Sequence, residues 1–124
     1  MSEQGETETV GKIIISPEVL LTIVRFTTMQ EPGVARLAGH ARAYNSPPLR
    51  GKRSRQDGVA VLVQNGRVSV RVHVIADGRV SARELGENLQ DHIANALEEM
   101  VGMPVEAVHV VIDDVEPNDR TNRL

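Results

Sequence analysis

The sequence predicts an α/β fold, a two-layer sandwich with two amphipathic helices on one face of a small mixed sheet, in the order β-α-(β)-β-β-α-β. Three observations predict it. Val68, Val70, Val72 and Val74 alternate with Ser69, Arg71 and His73, the period of a strand with one buried face. Two other stretches repeat apolar residues at helical spacing. The chain has 124 residues, enough for one domain with one core.

The elements follow in order. Gly11 to Ile15 reads as a short strand, because Ile13, Ile14 and Ile15 are β-branched. Ser16 is a good N-cap, and Pro17 suits the first helical position because it has no N–H to leave unpaired. The helix then runs to about Gln30, with Val19, Leu20, Ile23, Val24 and Thr27 on its apolar face, and Glu31-Pro32-Gly33 stops it. Val34 to Ala38 is a short strand or an extended segment. Gly39 to Asp57 is a loop, since Asn45-Ser46-Pro47-Pro48 cannot continue regular structure.

Val59 to Gln64 and Arg67 to Ile75 form a hairpin. Asn65-Gly66 between them suits a type I′ turn, in which both central residues take positive φ. After Asp77-Gly78, Ser81 and Glu84 make a capping box. The second helix carries Leu85, Leu89, Ile93, Ala96, Leu97 and Met100 in one stripe and ends at Gly102 and Pro104. Val105 to Val115 is the last strand. The hairpin requires antiparallel pairing, and the strand-helix-strand from Arg67 to Val115 permits a parallel crossover, so the sheet is expected to be mixed.

Residues 1–10 and 117–124 are polar and without periodicity, and are read as disordered tails around a single domain at 11–116. The first has no basic-then-apolar pattern of a signal peptide, and no run of about 18 apolar residues exists to span a bilayer. There is no cysteine, which removes disulfides, thiolate metal sites and cysteine nucleophiles. With one Phe, one Tyr and no Trp, the chain lacks the platforms on which nucleic-acid bases stack.

Charge is unevenly placed. Arg25 to Arg55 holds seven basic residues and one acid, whereas Glu84 to Asp119 holds ten acids and neither Lys nor Arg. Such asymmetry marks candidate binding surfaces of opposite sign. On the basic side the candidates are Arg50, Lys52, Arg53 and Arg55. They read as a solvated loop, as a contact for an acidic protein surface, or as a phosphate contact to nucleic acid or anionic lipid. On the acidic side, Glu84, Glu87, Asp91, Glu98 and Glu99 form the wet face of the second helix or an electrostatic docking face; Glu87, Asp91 and Glu98 are the partner-binding candidates among them.

Catalytic signals are weak. There is no G-x-S-x-G, P-loop or G-x-G-x-x-G. Asp113 and Asp114 are strand neighbours that point to opposite faces. The four histidines, His40, His73, His92 and His109, show no ligand spacing and are expected to be ordinary surface or interface residues. No catalytic residue, metal or cofactor is assigned.

Taken together, Gly11-Lys12-Ile13, Ile15-Ser16-Pro17-Glu18-Val19, Pro32-Gly33-Val34, Gly58-Val59, the valine-rich hairpin, Asn88-Leu89-Gln90, Met100-Val101-Gly102 and the last strand resemble the alkaline shock protein (envelope stress response) family over about residues 11–115. That resemblance implies a cytoplasmic, non-catalytic protein of Gram-positive-type bacteria, linked to cell-envelope homeostasis and stress. It also implies action through self-association or a membrane-associated partner, without direct insertion into the membrane. The basic, Pro-containing stretch from Gly39 to Asp57 departs from the family pattern. Binding of nucleic acid or anionic surfaces through residues 50–55 is the alternative function.

Overall fold

The computed structural model describes residues 10–39, 52–56 and 58–117, the side chains at 52–56 excepted. The first helix, α1, spans Pro17–Gln30. Ser16 caps it as its sequence predicts, the Glu18 N–H donating to Ser16 Oγ at 3.3 Å. Next come β1 (Val34–Leu37), β2 (Lys52–Gln56), β3 (Val59–Gln64) and β4 (Arg67–Asp77). The second helix, α2, spans Ala82–Met100, and β5 spans Val105–Glu116. The Glu84 N–H donates to Ser81 Oγ at 3.3 Å, the cap at the start of α2.

The five strands form one sheet around β4. β4 pairs antiparallel with β3 along its first half and with β1 along its second, while β5 runs parallel to it on the other side. The sheet is therefore mixed, and β2 and β5 lie at opposite edges. β1 and β3 meet end to end beside His73. The His73 N–H donates to the Gly58 carbonyl, and the His73 carbonyl accepts from the Ala38 N–H, both at 2.8 Å. Asn65 and Gly66 take φ values of 55° and 74°, the turn their sequence predicts.

The core lies between the helices and one face of the sheet. Val68, Val70, Val72 and Val74 are all fully buried, together with Leu20 and Val24 of α1 and Leu85, Leu89, Ile93 and Leu97 of α2. Burying each such side chain contributes roughly 1.5–3 kcal/mol.

The sequence reading needs four corrections. Residues 11–16 form no strand, and Ile13 and Ile14 stand in solvent. Lys52–Gln56, read as loop, is the antiparallel edge strand β2, registered from Lys52↔Val63 to Gln56↔Val59. Backbone N–H and C=O groups make that ladder, and an edge tolerates the charged side chains that local preference disfavours. The apolar face of α1 is turned slightly: Leu21 and Thr28 are buried and Val19 is exposed. Met100, the last residue of the α2 stripe, is exposed, on the rim of an open groove beside Phe26 and Pro32.

At the β4–α2 turn the Arg79 guanidinium grips the Asp77 carboxylate, Nε lying 3.0 and 3.1 Å from its two oxygens. Those side-chain bonds, with the Arg79 backbone N–H, hold Asp77 down to about 2 from 3.8. The folded value is depressed, so the stabilising contribution is complete above the ordinary aspartate range and disappears as pH falls from about 4 to about 2. Carboxyl NMR titration should give an Asp77 midpoint near 2 in the wild type and a clearly higher one once Arg79 is replaced by Ala, which removes the guanidinium bonds but keeps the backbone N–H.

Candidate functional site

The two charged groups expected from sequence sit on different elements. Glu87, Asp91 and Glu98 are all exposed on α2. Their spacings of four and seven residues place them along one stripe of the helix. Only Glu87 has a described partner, the Arg83 Nε at 3.5 Å. Lys52, Arg53 and Arg55 lie on β2, on the far edge of the sheet. Arg50 lies outside the described residues.

Packing separates these groups within one chain. α1 lies against β1, β2 and β3, whereas α2 lies against α1 and β5. The basic strand is thus at one end of the molecule and the acidic stripe at the other.

Two histidine pairs were not legible in the sequence. His73, expected on the surface, is buried on the sheet face away from the helices, with Nδ1 2.9 Å from Asp113 Oδ2. The register shift between Val74 and Ile75 makes Asp113 an extra residue in β5, which frees its side chain to reach His73. Leu62 and Ile75 are buried on the same face. His92 donates from Nδ1 to Glu31 Oε1 at 2.5 Å, tying the end of α1 to α2. Glu31, the lone acid of the basic stretch, is buried there.

Above this contact Phe26, Pro32, Ala96, Glu99 and Met100 line an open groove of about 430 Å³. His109 is exposed and does not join His73. Asp114 accepts the Val115 N–H at 2.8 Å instead of converging on Asp113. Among the described residues no three of His, Cys, Asp or Glu are placed to share a metal ion. No helix among them is long and apolar enough to cross a membrane.

The model of the alkaline shock protein family, described as having a cell envelope-related function, matches residues 5–117. The chain belongs to the alkaline shock protein family. An uncharacterised protein of Streptococcus pyogenes serotype M6 is 28% identical over 114 residues, covering 88% of this chain and 82% of its own length. Among solved structures, a variant of the MamM C-terminal domain in its manganese form is similar at a TM-score of 0.48 and 10% identity, over 80% of this chain and 99% of that one. At that level the likeness bears on neither mechanism nor partner. In this chain the strand bearing Lys52, Arg53 and Arg55 is one edge of the sheet, and α2, bearing Glu87, Asp91 and Glu98, packs against the strand at the other edge, β5.

Proposed function

We propose that this alkaline shock protein is a non-enzymatic interaction protein of cell-envelope homeostasis, acting by self-association or through a membrane-associated protein partner. It works at the cytoplasmic side of the membrane and reaches it through that partner. The observation that carries the reading is the separation of Lys52, Arg53 and Arg55 on β2 from Glu87, Asp91 and Glu98 on α2. Surfaces of opposite sign at opposite ends favour head-to-tail contacts, which close into rings or extend into chains. They also suit a partner bearing one strong charge sign.

Contacts of this kind are screened by salt, the Debye length falling from about 10 Å at 0.1 M to about 3 Å at 1 M. Raising salt across that range should weaken self-association by about tenfold or more in sedimentation. Reversing Glu87, Asp91 and Glu98 to Lys should have the same effect at low salt and should reduce capture of protein from a native membrane fraction. A chain that is monomeric at low salt, with capture unaffected by the reversal, would sink the proposal. The alternative reading, contact with anionic surfaces or nucleic acid, is favoured by the crowding of Lys52, Arg53 and Arg55 on one edge strand. Reversing those residues together with Arg50 separates the two: loss of liposome or RNA binding supports the alternative, and loss of captured protein alone supports the first.

A further inference from the structure

The residues at 12–15 have the composition of a strand, and the fold gives them no sheet. Ile13 is 91% exposed and Ile14 86%. Branched side chains of this kind fit a pleated, half-buried surface and gain nothing from standing in water. The run is sharply bounded, by Gly11 at φ +103° on one side and by the Ser16–Pro17 start of α1 on the other.

At the far edge of the sheet lies a strand that lacks a neighbour. β5 is 12 residues long, and among the described residues only β4 pairs with it. Its middle is unfinished: Val110, Val111 and Ile112 are only half-buried, whereas Val72 and Val74 beside them in β4 are fully buried. Val110 and Ile112 face the helix side and Val111 the other side. A strand carrying Ile13 and Ile15 on one face and Ile14 on the other supplies one branched neighbour for each.

Charge selects between the two edges. Lys12 is the only charged residue of the run, and β5 carries Glu106, Asp113, Asp114 and Glu116 with neither Lys nor Arg; Glu106 and Glu116 already pair with Arg67 and Arg36, and Asp113 with His73, so Asp114 is the acid that faces no described cation. The opposite edge, β2, carries Lys52, Arg53 and Arg55 and would repel it. Geometry selects the donor. α1 lies over β1, β2 and β3, with α2 between it and β5, so the segment leading into α1 starts on the wrong side of its own molecule.

We propose that residues 12–15 of one copy add as a strand to the outer edge of β5 of a second copy. Main-chain hydrogen bonds would supply the affinity, and the alternating isoleucines the register. This names the contact used in the self-association reading above and rests on it, but unlike the charged contact it is driven by backbone pairing and apolar burial.

Two experiments on the full chain test it. Ile13→Lys combined with Ile14→Pro alters only exposed positions, so circular dichroism melting should match the wild type. Sedimentation should show the dissociation constant of self-association raised by about tenfold or more, through loss of ladder bonds and apolar neighbours. That difference should persist at high salt, where the charged contact is screened. Wild-type chain that stays monomeric up to its solubility limit, or a double variant that associates as well as the wild type, would overturn the proposal. Capture of a membrane-fraction protein, measured separately, would still stand or fall on its own.

The chain contains no cysteine, so engineered ones report cleanly. Neighbouring strands bring Cα atoms within the roughly 4.4–6.8 Å that a disulfide requires. Ile14→Cys chain mixed under oxidation with Val111→Cys or His109→Cys chain should give a mixed disulfide dimer, and mixed with Lys52→Cys chain should not. Absence of the mixed dimer at both β5 positions counts against strand addition.

Discussion

Replacing Leu89 by alanine is expected to lower stability by about 3 kcal/mol, within the 2–5 kcal/mol usual for a buried leucine. Leu89 is fully buried midway along α2, among Leu85, Ile93 and the β4 valines. The truncation removes apolar burial and leaves a cavity. The surrounding side chains are branched aliphatics with few alternative rotamers, and they collapse poorly into such a space. For a chain of this size the melting temperature should fall by roughly 10 °C or more. Met100 is the control, since it belongs to the same apolar stripe by spacing yet is 66% exposed. Met100→Ala should change stability by less than about 0.5 kcal/mol. Equal losses for the two variants in denaturant unfolding would mean that α2 does not bury the stripe as described.

That contrast shows where sequence patterning stops being informative. Periodicity identifies a stripe from Leu85 to Met100 but not how much of it the neighbouring layer covers. Elements whose signals were local and redundant were legible: the Ser16 and Ser81 caps, the Asn65-Gly66 turn and the alternating valines of β4 all hold. The parallel pairing of β4 and β5, expected from the intervening helix, holds as well. The two errors in strand assignment have one cause. Strand propensity describes side chains, whereas membership of a sheet depends on an available backbone edge. Lys52–Gln56 has poor strand-forming side chains and an open β3 edge; the isoleucines at 13–15 have excellent ones and pair with no edge of their own chain.

The candidate surfaces were legible as composition but not as geometry. The separation of basic and acidic residues along the chain survives as a separation in space because β2 and β5 end at opposite edges. No sequence signal pairs Glu31 with His92 or His73 with Asp113, residues 61 and 40 positions apart. The second pair depends on a register shift in a parallel ladder, which leaves no local mark on residue preference.

Gly58→Ala should destabilise the fold by about 2–3 kcal/mol, from backbone strain of order 1–3 kcal/mol added to perturbed hydrogen bonds of about 1 kcal/mol each. Gly58 sits at the seam where β1 and β3 meet beside β4, at φ +82°, a conformation that L side chains rarely adopt. A Cβ there would lie 2.9 Å from the Ala38 carbonyl oxygen and 3.2 Å from that of His73. Both obstacles are backbone atoms, and neither can rotate away as a side chain would. The His73 oxygen already accepts the Ala38 N–H, so any retreat strains the bond that joins β1 to β4. Gly102 isolates the conformational part, since its φ is +78° and nothing lies within 4 Å of its added Cβ. Gly102→Ala should therefore cost about 1 kcal/mol, the strain alone. Hydrogen exchange should locate the remainder: in Gly58→Ala the Ala38 and His73 amides should lose protection first, because they are the N–H groups bonded across the seam. If the two glycine variants melt together and those amides stay protected, the seam is not as tightly closed as this geometry requires.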